Sequence, residues 1–475
     1  MWKEYEALIN KGSTRDALQT AQKIYDKALK ENQVDQKFKA IIHIYQNRMV
    51  IEENSETNII NDLKSSIQKS SSVDEQALLK ILLAQSYFSY YSANQYKIIE
   101  RTYGNELSAD FAMWDARQFQ QEISKLYHSA LDQKNELKKY PLENYSAIVS
   151  KDNKAKFSLP IQNLSDLLFN EAIQYFSSSN IQLIEASNAF QMNEKELFLS
   201  VQDFSKIDLS NKNSSNEWIA LELYQEWITN HLQDKNQEIL SYIDNQRLHF
   251  VYDHYVGEKK NDLYAESLQN GFQQFTLASS KALFKSDLIQ LWYQERAGDF
   301  EYSLTQIVKE AQQVLKDYPN TLGALSMQNL IDVIQSKGLE VTLEQYIPAN
   351  VPFKTFIEYK NLSSVKYKIV EWKEINRDNN YQNNQDVWNA VQKLKVVHSG
   401  NFQLPASSDY SSHSIEFALN GLATGKYALI TYTDEVLNDI SKGKFNISPF
   451  QITDISLVFR ENEENIIVSV LNRQS

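Results

Sequence analysis

The densest cluster of titratable side chains in this 475-residue sequence is Arg247-Leu-His249-Phe-Val-Tyr-Asp253-His254-Tyr255. On a helix, His249 and Asp253 fall one turn apart and could share a proton or a metal ion. A catalytic zinc site needs three protein ligands and an open position, and no HExxH accompanies the pair. The spacing therefore reads as an i,i+4 packing or surface pair. Asp409, Tyr410, Ser412 and His413 supply the residue types of nucleophilic catalysis. Packed into one short loop, they fit a corner held by side-chain hydrogen bonds better than a triad. Glu371 with Glu374, and Glu461 with Glu463 and Glu464, are paired carboxylates in polar stretches. A general acid needs burial to raise its pKa, so these read as solvated faces or hairpin tips. The stretch GLATGK, residues 421–426, lacks the spacing and the trailing Ser/Thr of a phosphate loop.

The aromatic run Tyr87-Phe-Ser-Tyr-Tyr91 and the pair Trp292-Tyr293 could form platforms for a glycan or peptide. At helical spacing they read first as core. The chain has no cysteine, which excludes disulfides, a thiol nucleophile, a thiolate zinc site and a thioester within these residues. No residue is assigned here as catalytic, cofactor-binding or metal-ligating, no cofactor is implied, and the chain is not expected to be an enzyme.

The net charge of −13 repels a polyphosphate, so a nucleic-acid partner is not expected. No apolar run approaches the ~20 residues that span a bilayer. The N-terminal MWKEYEALINKGS has no apolar signal core, so an exported protein would have lost its signal from this sequence. At 42% hydrophobic and 12% aromatic, the chain can bury cores, and its length suggests roughly two to four domains.

The elements that must position these residues change character along the chain. After Gly12, Ser13 or Thr14 can cap a helix on which Ala17, Leu18, Ala21, Ile24, Tyr25, Ala28 and Leu29 form one stripe. Phe38, Ile41, Ile42, Tyr45 and Met49 continue on a second helix, a pairing of small with large residues that looks like a tetratricopeptide-type unit. Asp74 opens a helix through Leu78, Leu79, Leu82, Leu83, Tyr87 and Phe88. Further helices are expected over Phe111–Leu131, Leu164–Phe176, Trp218–Leu232 and Asn236–Tyr255, and two within Leu263–Tyr293. Two more are expected over Tyr302–Tyr318 and Leu322–Gln335, with 141–160 as a connection. Gly338 is expected as the C′ glycine of the last helix.

From Leu339 the period shortens to two. Strands are expected from Val341 to Ile347 and over Phe353–Tyr359, Val365–Trp372, Ser414–Leu419, Tyr427–Thr433, Ile452–Arg460 and Ile466–Leu471, with 375–387 as a polar loop. Pro348, Pro352, Pro405 and Pro449 suit the edges and turns of an antiparallel sandwich.

At these residues the sequence resembles the first macroglobulin-like domain of bacterial alpha-2-macroglobulin family proteins, especially the Bacteroidetes-type branch. The resemblance is carried by Tyr318-Pro319-Asn320, Glu340 to Ile347, Pro348 and Pro352, Phe356-Ile-Glu-Tyr-Lys-Asn361, and Tyr367 with Ile369. It continues through Leu404-Pro405, Asp409-Tyr410, His413, and Leu422, Gly425 and Tyr427. Gly12 to Leu18, Ile24-Tyr25 and Lys30-Glu-Asn32 are similar to the helical array that precedes that domain. The last residues from Val468 resemble the opening strand of a second macroglobulin domain, truncated here.

The expected fold is multidomain, α plus all-β. An irregular α-solenoid or helical-hairpin array at 1–338 precedes an antiparallel macroglobulin-like β-sandwich at 339–460, and 461–475 are expected to begin the next domain and to be poorly packed or paired out of context. Gly425 is expected in a backbone conformation closed to other residues, with Tyr427 packed between the sheets. The resemblance implies a protease-trapping inhibitor at the bacterial cell envelope, periplasmic or outer-membrane-associated. This chain would be its non-catalytic scaffold and docking region, with a target protease or envelope proteins as partners. A second expectation is an outer-membrane or periplasmic module that recognises a glycan or protein through the helices.

Overall fold

A computed structural model describes residues 1–102, 104, 108–149, 159–178, 192–209, 215–296, 298, 301–372, 383–461 and 466–473. They belong to two compact units. One comprises Met1–Leu288 with Asn320–Gly323, the other Ile289–Pro319 with Ala324–Ser475.

The first unit is helical. Thr14–Lys30 buries Ala17, Ala21, Ile24 and Ala28, and packs against Val34–Ile51, which buries Phe38, Ala40, Ile41 and Ile44. Small residues on one helix let the larger ones of its partner approach. Between them Asn32 takes φ +51°, and the Gln33 amide donates to the Ala28 carbonyl at 2.9 Å, which ends the first helix. The helix Val73–Ile99 buries Leu78, Leu79, Leu83, Tyr87 and Tyr91 and packs against Ala116–Leu131. The latter begins later than its periodicity suggests, because Phe111–Met113 is a separate 3₁₀ turn. Asp115 sets the start. Its carboxylate accepts from the Gln118 amide at 2.9 Å, and Gln118 Oε1 accepts from the Asp115 amide at 3.0 Å. Leu164–Ser177, Asn216–His231, Glu238–His254 and Lys260–Gln274 continue the array. Among the described residues no helix is long and apolar enough to cross a membrane.

In the second unit, Ser303 and Gln306 form a capping box that opens the helix Leu304–Asp317. Among the described residues ten strands follow the helical region: β1 (Gly338–Leu343), β2 (Tyr346–Ile347), β3 (Phe353–Lys360), β4 (Ser364–Glu371), β5 (Val396–Gln403), β6 (Ser412–Leu419), β7 (Gly425–Tyr432), β8 (Phe445–Ile452), β9 (Ile455–Glu461) and β10 (Ile466–Asn472). One sheet has the order β1-β3-β6 and another β2-β8-β7-β4-β5, while β9 and β10 pair only with each other. Ile357 and Phe353 of the first sheet share one apolar cluster with Val365, Ile369, Leu429, Phe450 and Ile452 of the second. The other face of β7 presents Ala428, Ile430 and Tyr432 to a second cluster with Trp388 and Val391. Covered on both faces, β7 reads as a nearly continuous apolar run.

Several expectations change here. The larger sheet is mixed rather than wholly antiparallel, because β2 runs parallel to β8. The expected strand Ile452–Arg460 breaks at Thr453-Asp454. Thr453 Oγ1 accepts from the Ile455 amide at 3.1 Å and Asp454 Oδ1 from the Ala349 amide at 2.9 Å, diverting the chain. The polar loop 375–387 runs into a helix, Asn384–Val391, whose Asn383 caps the Asp386 amide at 3.1 Å; residues 373–382 lie outside the described residues. Strand β5 was hidden by its weak alternation and by Gly400, where a Cβ would stand 2.7 Å from the Tyr367 ring. Gly338 begins β1 and, like Gly425, has no left-handed backbone; Gly12 is the glycine with positive φ among the described residues.

Candidate functional site

The sequence-singled groups are dispersed. His249 pairs with Asp287 (Nε2 to Oδ2, 2.9 Å) rather than with Asp253, because the helix Ala278–Gln294 brings Asp287 to it; Asn245 Nδ2 donates to the same oxygen at 2.5 Å. Burial works against the charged imidazole, but the hydrogen bond and charge of Asp287, with Asp253 adding to them, hold its pKa above the ordinary value. Arg247 is fully buried and serves the fold: its Nε donates to Asp244 Oδ1 at 2.9 Å, its guanidinium to the Leu199 carbonyl at 3.0 Å, and it lies over the Phe204 ring. Tyr87, Tyr91 and Trp292 are core. Glu371 is half exposed and pairs with Lys395 at 2.6 Å, and Glu461 is exposed. Glu374, Glu463 and Glu464 lie outside the described residues. No group of three or more metal-capable side chains gathers among the described residues.

One network had no sequence signal beyond the Asn163-x-x-Asp166 capping spacing. Asp166 Oδ1 accepts from His231 Nε2 at 2.7 Å and from Trp227 Nε1 at 3.0 Å, while His231 Nδ1 meets Asp234 Oδ2 at 2.6 Å. Asp166 and His231 are buried and both ring nitrogens of His231 are engaged, so the network ties two helices together.

Two cavities of more than 400 Å³ stand out among the described residues. One, of about 460 Å³ in the first unit, is lined by Glu238, Ser241, Ser279 and Ser280. Its polar groups satisfy one another: Ser279 donates to Glu238 at 2.8 Å, and Ser241 and Ser280 share a hydrogen bond of 2.6 Å. The other, of about 470 Å³ in the second unit, is the better candidate. It is lined by Tyr293, Arg296, Tyr302, Lys360, Asp409 and Tyr410, with Ser411 and Ser412.

The elements position these groups directly. Tyr293 ends a helix, and the Arg296 guanidinium lies 4.5 Å from its ring centroid while donating to its carbonyl. Tyr302 stacks on Trp292 at 4.3 Å between centroids. Lys360 closes β3 and donates to the Val333 carbonyl at 3.3 Å. Burial, and then the positive charge of Arg296, lower the Lys360 pKa. Asp409 is already engaged by its own loop. The Ser407 hydroxyl first, then the Ser411 amide and His413 Nε2, the latter two each 2.9 Å from its Oδ1, hold its pKa well below the usual carboxylate range. The loop thus is the hydrogen-bonded corner its spacing implied, with Tyr410 at φ +60°. Neither Arg296 nor Lys360 forms an ion pair among the described residues, so two neighbouring cations face this cavity. Such a surface suits an anion, and a guanidinium fork suits a carboxylate in particular.

Compared with known proteins, the sequence matches no family model and no curated protein.

Proposed function

We propose that the chain is a non-catalytic scaffold and docking region of an alpha-2-macroglobulin-like protein at the bacterial cell envelope, the full-length protein acting as a protease trap. The observation that supports this most is the succession of a helical array and two sheets with one shared apolar cluster. That succession is what a macroglobulin-like sandwich over 339–460, preceded by helical hairpins, requires. Val341, Ile357 and Leu429 then serve as the wedge between layers, and Tyr427, buried in the same cluster, fixes the step after Gly425. With no cysteine, a covalent trapping step has no residue here to carry it. Titrating the chain against endopeptidases of several specificities is expected to leave their activity unchanged. Stoichiometric inhibition by these residues alone would overturn the scaffold role.

A second reading is an envelope module that binds a glycan or protein partner, and Arg296 and Lys360, which form no ion pair among the described residues, favour it. In this reading the cavity takes the carboxylate of an acidic sugar, placed by Arg296 and Lys360 and flanked by tyrosines. Calorimetric titration with uronic-acid oligosaccharides tests it. Binding that weakens about tenfold or more in Arg296→Ala and falls with salt supports this reading; no binding, or binding indifferent to that substitution, removes it.

A further inference from the structure

The least explained surface of the molecule is the hairpin β9–β10. Its cross-strand register places Leu457 opposite Val470 and Phe459 opposite Val468. With strand alternation, Ile455, Leu457, Phe459, Ile466, Val468 and Val470 share one face. Each is between 50% and 66% exposed, although all are large and apolar. Glu461 at the tip is the charge on that face among the described residues. The opposite face is mixed: Ser456, Val458 and Ser469 are half-buried, and the exposed Arg460, Ile467 and Leu471 complete it. Isolated scattered apolar residues on a surface need no explanation, but a contiguous six-residue face does. A two-stranded ribbon is also marginal in water unless one face is covered.

We propose that this face packs against the same face of a second copy of the chain, giving a two-fold dimer built from two stacked hairpins. Three observations select a second copy. The face is self-complementary, because its centre is apolar and its polar residues, Glu461 and Asn472, lie at its two ends, leaving no central charge to be buried unpaired. Its exposed apolar surface is on the order of 650 Å² per copy, or about 1,300 Å² in a pair, within the size of stable interfaces. Finally, the chain is strongly acidic, and the middle of this face carries no charge, so two copies can meet there without like-charge contact. Stacking two antiparallel ribbons face to face at about 10 Å also gives each the cover that it lacks alone. The inference is independent of the trapping and glycan readings, since it rests only on the hairpin.

The test is sedimentation equilibrium of the full chain over a micromolar concentration series at low and moderate salt. The expected result is a monomer–dimer equilibrium that tightens as salt screens the repulsion between two acidic copies. Phe459→Asp and Val468→Asp are expected to weaken dimerisation at least tenfold with unchanged circular dichroism and melting. Ile467→Asp makes the same kind of change on the opposite face and is expected to leave the dimer intact. A wild-type monomer across the series overturns the proposal. So does a dimer that the two face substitutions leave intact, or one that Ile467→Asp disrupts equally.

Discussion

At the scale of single residues, the polar groups that look most chemical in the sequence are spent on holding helices. His249 is the clearest case. Its pKa is raised from an ordinary 6.5 because, against the burial that disfavours charge, Asp287 accepts from its Nε2 and Asp253 adds negative charge. A histidine whose native pKa exceeds its unfolded value contributes stability that is fully present below about pH 6.5 and is lost as pH rises through the native value. The side chain is 43% exposed, so the contribution is under about 1 kcal/mol. Following the His249 ring by NMR is expected to show titration above 6.5 in the wild-type chain and a fall toward the ordinary value in Asp287→Asn. A wild-type midpoint at or below 6.5 contradicts the assignment. The helical period let His249 and Asp253 be placed a turn apart. It could not reveal Asp287, which arrives from a helix remote in sequence.

At the scale of elements, much of the fold was legible because periodicity reports burial. The helices Leu164–Ser177, Asn216–His231 and Glu238–His254 fall close to their expected spans, since long apolar stripes leave little freedom. Strand β5 and the helix Asn384–Val391 were not legible. The first is an edge strand whose side chains are mostly exposed, and the second is a short helix in a polar stretch held by one cap and Trp388. The stretch GLATGKY was read correctly as the approach to a strand, but its glycines act by space and not by φ. A Cβ on Gly421 would lie 2.5 Å from the Asn350 carbonyl carbon and 2.6 Å from the Val351 nitrogen, where the Asn350 amide donates to the Leu422 carbonyl at 2.8 Å. A Cβ on Gly425 would lie 3.1 Å from the Tyr427 ring, which can yield slightly. Gly421→Ala is therefore expected to cost about 1–3 kcal/mol in denaturant unfolding, and Gly425→Ala less. Equal costs, or a neutral Gly421→Ala, would refute the close backbone approach.

At the scale of the whole molecule, the switch from helices to sheets at Gly338 was visible in the sequence as a change of period from 3.6 to two. The candidate cavity was not. Its two cations come from a helix end and a strand end, at Arg296 and Lys360, and nothing local in the sequence joins them. The loop of Asp409 and His413 was noticed for its chemistry but acts as one wall of that cavity, its carboxylate turned to its own backbone. The scaffold role proposed above makes the molecule a passive framework built on its hydrophobic clusters. If the chain has that role, it should not contract when cut. The most direct check is the sedimentation coefficient of the chain before and after limited proteolysis, with fragments kept together under native conditions. A passive scaffold gives an unchanged or lower value. A faster-sedimenting, compacted species retaining the protease would contradict it.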